Sequence, residues 1–149
     1  MSEIRIGILG AGRGVALAKA AQRAPSTRVV ALCDPDEQRL ARAATHLGLS
    51  QSHPSYSSHL SYDDLLSADL DAVVVASPMP LHAEHSIAAL QAGKHVLSEV
   101  TAATTMDQCW ALLEAVKASG LKYMLAENYC YTRPFSIVNG MVAAGLFGE

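Results

Sequence analysis

The sequence predicts an α/β protein with a doubly wound parallel sheet. Three observations lead there. Apolar runs of strand length alternate with Ala- and Leu-rich helical stretches along the chain. A glycine-rich turn, Gly10-Ala11-Gly12-Arg13-Gly14, directly follows the first of those runs, and an acid, Asp34, closes the second. Strands separated by helices require right-handed crossovers, which make the sheet parallel and cover both its faces. Such sheets bind ligands beyond the C-terminal ends of their strands.

Each element has its own signal. Ile4 to Leu9 is a β-branched run ending in glycine and reads as the first strand. Residues 13–24 are Ala-rich and helical, and Pro25 ends them. Arg28 to Cys33 is the second strand, broken by Asp34-Pro35. The next helix runs from Asp36, an N-cap residue type, to Gly48, a C-terminal stop. Residues 50–57 are polar and read as irregular, and a short helix over 61–67 begins at Ser61. Asp71 to Ala76 is apolar at consecutive positions, as expected of a parallel strand buried on both faces. A helix over 81–91 is closed by Gly93, and His95 to Ser98 is the fourth strand. A helix over 105–118 is closed by Gly120, and Trp110, Leu112, Leu113 and Val116 are its expected core residues. Lys122 to Ala126 is the fifth strand, and Pro134 opens a last helix to Ala144.

Composition excludes several function classes. The 149 residues fit one domain, are 50% hydrophobic and 17% charged, and carry a net charge of −3. That balance is globular, and no basic block offers a surface to nucleic acid or an anionic membrane. No apolar run reaches membrane-spanning length. The three cysteines, Cys33, Cys109 and Cys130, are widely spaced and form no CxxC pair, so neither a disulfide framework nor a zinc site is expected. A reducing, cytoplasmic compartment is the simplest reading.

The glycine turn carries the chemistry. Gly10 would permit the tight turn, and Gly12 would let the backbone approach a pyrophosphate at a helix N-terminus. The third fingerprint position is Val15, while Gly14 stands one place early and Arg13 lies between. Asp34, at the end of the second strand, would accept hydrogen bonds from the adenosine ribose hydroxyls and repel a 2′-phosphate, favouring NAD over NADP. Asp36 is then the helix cap, and Arg39, the nearby cation, is placed two turns into that helix.

With these residues placed, the chain resembles the glucose–fructose oxidoreductase/inositol dehydrogenase/MocA family over essentially its whole length. The resemblance rests on the glycine turn, on Ala76-Ser77-Pro78 with His82, on Gly93 to Glu99 and on Asn128. It implies an N-terminal NAD-binding Rossmann domain in residues 1–149, with the C-terminal substrate domain absent from this chain. It implies that Ser77 and Pro78 line the cofactor, that His82 stands beside it, that Glu99 bonds the nicotinamide ribose, and that Asn128 lies near the nicotinamide. It also implies a small-molecule substrate, a sugar or polyol.

Two departures bear on catalysis. Where such proteins carry Glu-Lys-Pro, this chain has Glu99-Val100-Thr101, and valine cannot move a proton. Two residues past Asn128, where an Arg is frequent, stands Cys130. The catalytic residues are therefore open. Tyr129 and Tyr131 are expected to pack under the last helix rather than to donate protons, and Cys130 has no activating His in view. His82 and His85 lie three apart but supply too few ligands for a metal. His46, His53 and His59 read as surface residues. Three functions remain: a sugar or polyol oxidoreductase inactive without its second half, an NAD-dependent redox-neutral glycoside hydrolase, and a non-catalytic NAD-binding sensor or scaffold. A homo-oligomer is expected, because a bared apolar surface near the last helix invites self-association.

Overall fold

The computed structural model describes residues 3–49 and 56–148. Six strands form one sheet: β1 (Ile4–Leu9), β2 (Thr27–Cys33), β3 (Ser57–His59), β4 (Ala72–Val75), β5 (His95–Ser98) and β6 (Tyr123–Leu125). Their spatial order is β3-β2-β1-β4-β5-β6, and every pairing is parallel. The crossovers are α1 (Gly14–Arg23), α2 (Glu37–Leu47), α3 (Tyr62–Ser67), α4 (His82–Gln91) and α5 (Met106–Ser119), and α6 (Arg133–Ala143) follows β6. The doubly wound sheet expected from the sequence is present.

Alternation along β4 explains the two layers of the core. Val73 and Val75 face Leu65 of α3, Leu90 of α4 and Leu112 of α5. Val74 faces the other way, toward Ile6, Ile8 and Leu32, with Ala18 of α1 and Leu40 of α2 above them. A strand covered on both faces must be apolar at successive positions, which is why the AVVV run carried so clear a signal. Burying one such valine contributes about 1.5–3 kcal/mol relative to leaving it exposed.

Helix ends follow local chemistry. The Asp36 carboxylate accepts from the Gln38 and Arg39 amides at 2.9 and 3.1 Å, which caps α2. These bonds to the charged form hold its pKa below the ordinary carboxylate value, the Arg39 amide contributing most. Gly48 and Gly120 take left-handed φ values of 65° and 66° at the ends of α2 and α5. A side chain there would be strained.

Several expectations are corrected. The irregular polar stretch ends in a strand that the sequence reading lacks: Ser57, its last residue, with Ser58 and His59 pairs with Ala31, Leu32 and Cys33. An edge strand is held by backbone hydrogen bonds and needs no apolar face, so Ser-Ser-His gave no strand signal. Residues 50–55 of that stretch, with His53, lie outside the described residues. Arg39 lies in the first turn of α2, not two turns in. Trp110 and Leu113 are 59% and 40% exposed, whereas Leu112 is buried. The face of α5 that meets the sheet and α4 is narrower than its apolar composition implied. Tyr129 and Tyr131 form an exposed 3-10 turn rather than packing under α6. Helix α6 has no buried residue and exposes Phe135, Ile137, Val138 and Val142.

Candidate dinucleotide-binding site

The strand order reverses between β1 and β4, so the loops that leave these strands diverge and open a crevice. The glycine turn fills one side of it. Gly10 has φ 95°, and a Cβ there would lie 2.2 Å from the Ala76 carbonyl oxygen, so any side chain would collide with the neighbouring loop. Gly14 would place a Cβ 2.6 Å from Ile8 Cγ2. It lets the first turn of α1 sit close on β1, the task expected one residue later. Val15, half-buried, instead packs against the core. Gly12 behaves differently, because nothing lies within 4 Å of its would-be Cβ. Its backbone is bare toward the crevice side, and among the described residues the Gly12 and Arg13 amides form no hydrogen bond. Free amides at the mouth of a helix are donors for an anion.

Asp34 is 3% exposed and fully engaged with backbone. Its Oδ2 accepts from the Ala11 amide at 2.9 Å, and its Oδ1 accepts from the Asp36 amide at 3.0 Å. The carboxylate therefore ties the glycine turn to the end of β2, while Gly10 N–H donates to the Cys33 carbonyl at 2.8 Å alongside it. Arg39 stands over Asp34 and Asp36 at 3.8 and 3.7 Å. Burial, reinforced by the Asp34 charge, pushes the Cys33 thiol up to about 11. That thiol is a packing group, not a nucleophile.

A cleft of about 310 Å³ opens beside these residues, with Gly10, Asp34, Pro35 and Arg39 on one side and Ser77, Pro78, Leu81 and His85 on the other. Ser77 Oγ and His85 Nδ1 are 2.8 Å apart. The sequence places Ser77 and Pro78 at this mouth and the helix face of His82 and His85 beside the cofactor, but gives Tyr62 and His85 no binding role. His85 stands in the first turn of α4, just past the loop that carries Ser77, and that proximity is the signal that would have found it.

His82 is buried. Its Nε2 meets the Ser77 carbonyl at 2.7 Å and its Nδ1 the Thr101 carbonyl at 2.8 Å. It sits between the loop after β4 and the loop after β5, with a ring nitrogen at a backbone carbonyl of each and its one N–H, when neutral, donated to one of them. His82 and His85 do not converge on a common point, each being held by its own partner. Glu99, 8% exposed, closes β5 and pairs with Arg13 through Nε–Oε1 at 2.6 Å. Arg13 thus reaches across the crevice to the end of β5. Asn128 is exposed at the start of the turn after β6 and accepts from the Tyr131 amide through its carbonyl at 3.2 Å. The structure brings Gly10, Ala11, Gly12, Arg13, Asp34 and Glu99 into one connected set, with Ser77 and Pro78 facing it.

These features fit a dinucleotide: a glycine turn with free amides, a buried carboxylate bonded to that turn and a cleft the size of a nucleoside beside it. They define a dinucleotide-binding protein. Residues 4–127 match the oxidoreductase family with the NAD-binding Rossmann fold, and the chain belongs to that glucose–fructose oxidoreductase/inositol dehydrogenase/MocA family. A glycosyl hydrolase family 109 protein of Shewanella amazonensis is 36% identical over all of this chain and 34% of its own length. The chain thus spans about a third of the curated relatives it matches. The scyllo-inositol dehydrogenase of Lactobacillus casei, solved with NAD(H) and scyllo-inositol, superposes with a TM-score of 0.83 at 25% identity, over 99% of this chain and 43% of that one. The WlbA dehydrogenase of Bordetella pertussis, in complex with NADH and UDP-GlcNAcA, superposes at 0.85 with 27% identity, over 99% and 44%.

Proposed function

We propose that this chain is the NAD(H)-holding half of an enzyme that oxidises or reduces a hydroxyl-bearing sugar or polyol. The observation that carries the reading is the tie from Asp34 Oδ2 to the Ala11 amide beneath an open Gly12. A carboxylate bonded to the turn and a pair of free amides within it supply acceptors for a ribose and donors for a pyrophosphate. In this reading the Gly12 and Arg13 amides hold the phosphates, Asp34 holds the adenosine ribose, Ser77 and Pro78 line the passage, and Glu99 and Asn128 face the nicotinamide end. Gly14 seats the helix, and His82 stands between the loops that carry Ser77 and Thr101.

When bound, the nicotinamide ring supplies the hydride acceptor or donor. The chain's own residues bind and orient it. Val100 gives no proton at the position where such proteins carry lysine, so proton transfer falls to a residue of the substrate half. That half, with an open sheet, lies outside residues 1–149, and hydride transfer by these residues alone is not expected because nothing presses a substrate against the ring. No helix among the described residues is long and apolar enough to cross a membrane. The three free thiols fit a reducing, cytoplasmic setting, and the exposed apolar side chains of α6 fit association with another chain or copy.

A second reading has its own support. The relatives at 36% and 37% identity are glycosyl hydrolase family 109 proteins. In a redox-neutral glycoside hydrolysis the hydride leaves and returns within one turnover, so no net NADH accumulates. Calorimetric titration with NAD tests the shared core of both readings. Binding in the micromolar to millimolar range that disappears in Asp34→Ala supports it, and no heat at millimolar NAD refutes it. Net NADH formation by the complete protein with a sugar panel supports oxidoreduction. Hydrolysis of a glycoside with no net NADH supports the second.

A further inference from the structure

The cleft beyond Asp34 is mostly apolar, lined by Leu9, Pro35, Leu60, Pro78 and Leu81, and one polar side chain at its inner wall lacks an assigned task. That side chain is His85. Its orientation is fixed from two directions. The Tyr62 ring meets it edge-on, with centroids 4.7 Å apart and planes at 60°, while the Tyr62 hydroxyl donates to the His85 carbonyl at 2.7 Å. Ser77 Oγ engages its Nδ1 at 2.8 Å. Among the described residues nothing hydrogen-bonds Nε2, and the side chain lines the cleft. A half-buried imidazole in the lining of an apolar pocket, with one nitrogen held and the other without a protein partner among the described residues, is suited to reading a heterocycle edge. The hydroxyl of Ser77 can donate or accept, so Nε2 can serve either kind of partner.

We propose that His85, held by Tyr62 and Ser77, recognises the adenine base of the bound nucleotide through its Nε2. The proposal rests on the cofactor reading above and extends it to a residue that reading does not need. Burial lowers the His85 pKa, an effect that neighbouring Glu84 opposes and His82 adds to. Burial thus disfavours the charged ring, which suits a neutral base better than a phosphate. The proline and leucine side chains around it supply the apolar walls that a flat ring needs.

The test is calorimetric titration of AMP, ADP-ribose and NAD into the protein, its His85→Leu variant and its His85→Gln variant, with melting temperatures as a check on folding. All three ligands share the base, so His85→Leu is expected to weaken all three by the same factor, about tenfold. His85→Gln, which keeps an amide in reach, recovers most of that loss. Unchanged AMP affinity in a folded His85→Leu overturns the proposal, and so does a loss that grows from AMP to NAD, which would put the residue at the other end. If His85→Leu does not fold, His85→Phe is read with the same ligands and the same criterion, because it keeps a flat ring of similar volume and removes Nε2. Absence of binding by the unaltered protein would instead sink the cofactor reading itself.

Discussion

Arg13 Nε lies 2.6 Å from Glu99 Oε1, so a side chain of the glycine turn is bonded across the crevice to the end of β5. The two ends differ in exposure: the Glu99 side chain is 10% exposed and that of Arg13 66%. A nearly buried carboxylate depends on its cation more than an open one does, while the exposed guanidinium limits the gain. Arg13→Ala is therefore expected to cost about 1–2 kcal/mol, a fall of roughly 3–6 °C in melting temperature for a domain of this size. Adding Glu99→Gln should recover most of the loss, because the stranded charge is gone. Strictly additive losses in the double variant would show that the pair is not coupled.

The glycines of the turn separate folding from binding. At Gly10 the left-handed φ and the 2.2 Å approach to the Ala76 carbonyl both forbid a Cβ. Gly10→Ala should lose on the order of 3 kcal/mol and bind no nucleotide. At Gly12 the would-be Cβ has nothing within 4 Å. Gly12→Ala should melt within a degree or two of the parent yet bind NAD at least about tenfold more weakly, because the methyl stands where the phosphates approach. Thermal melts and titrations on the two variants check the contrast. Equal melting losses would contradict it.

How much of this was legible in the sequence depended on what each signal encodes. β4 was read from Val73-Val74-Val75 because both its faces are buried, and burial writes itself into composition. β3 was missed because Ser57, Ser58 and His59 are polar and offer no apolar face, so the pairing of β3 with β2 leaves no hydrophobic signal. The tight turn at Gly10 was legible, but the early Gly14 pointed only to an altered register, since the contact with Ile8 belongs to the packed structure. Asp34 was placed at the site, yet its bonds to the Ala11 and Asp36 amides were not foreseen. His85 and Tyr62 are 23 residues apart and meet only when α3 and α4 pack. Trp110 misled because an apolar residue on a helix has no address until the breadth of the packed face is known.

The opposite end of the sheet carries an acid-sensitive tie. Asp71 accepts from Arg5 three times, at Oδ2 from the amide (2.7 Å) and Nε (3.0 Å), and at Oδ1 from Nη2 (2.8 Å), while Arg5 also pairs with Asp69. Hydrogen bonds from the Arg5 side chain, then from its amide, bring the Asp71 carboxyl down to about 2 from 3.8. A depressed folded pKa means that the tie stabilises the fold above the unfolded value and that the benefit drains as pH falls through the folded one. The stability gap between the parent and Asp71→Asn should thus be constant above about pH 5 and should shrink between about pH 4 and 2. Urea midpoints across that range measure it. A gap that persists to pH 2 would rule out the carboxylate's charge as its source.

Cofactor choice should turn on Asp34 and Arg39 together. On the proposed reading the buried Asp34 carboxylate faces the adenosine ribose, where its charge would repel a 2′-phosphate. Arg39, 3.8 Å away and 56% exposed, is at present neutralised by Asp34 and Asp36. Replacing Asp34 by Ser removes the repulsion and releases half of the restraint on Arg39, leaving a cation beside a hydroxyl. NADP affinity should then rise and NAD affinity fall, shifting the ratio by at least about tenfold. The shift should shrink when Arg39→Ala is added, because the phosphate loses its counter-charge. Some stability will go in either variant, since a serine cannot bond the Ala11 and Asp36 amides at once. The ratio of the two affinities, taken on the folded fraction, is insensitive to that loss. If the ratio does not move, Asp34 holds the turn together without facing the ribose.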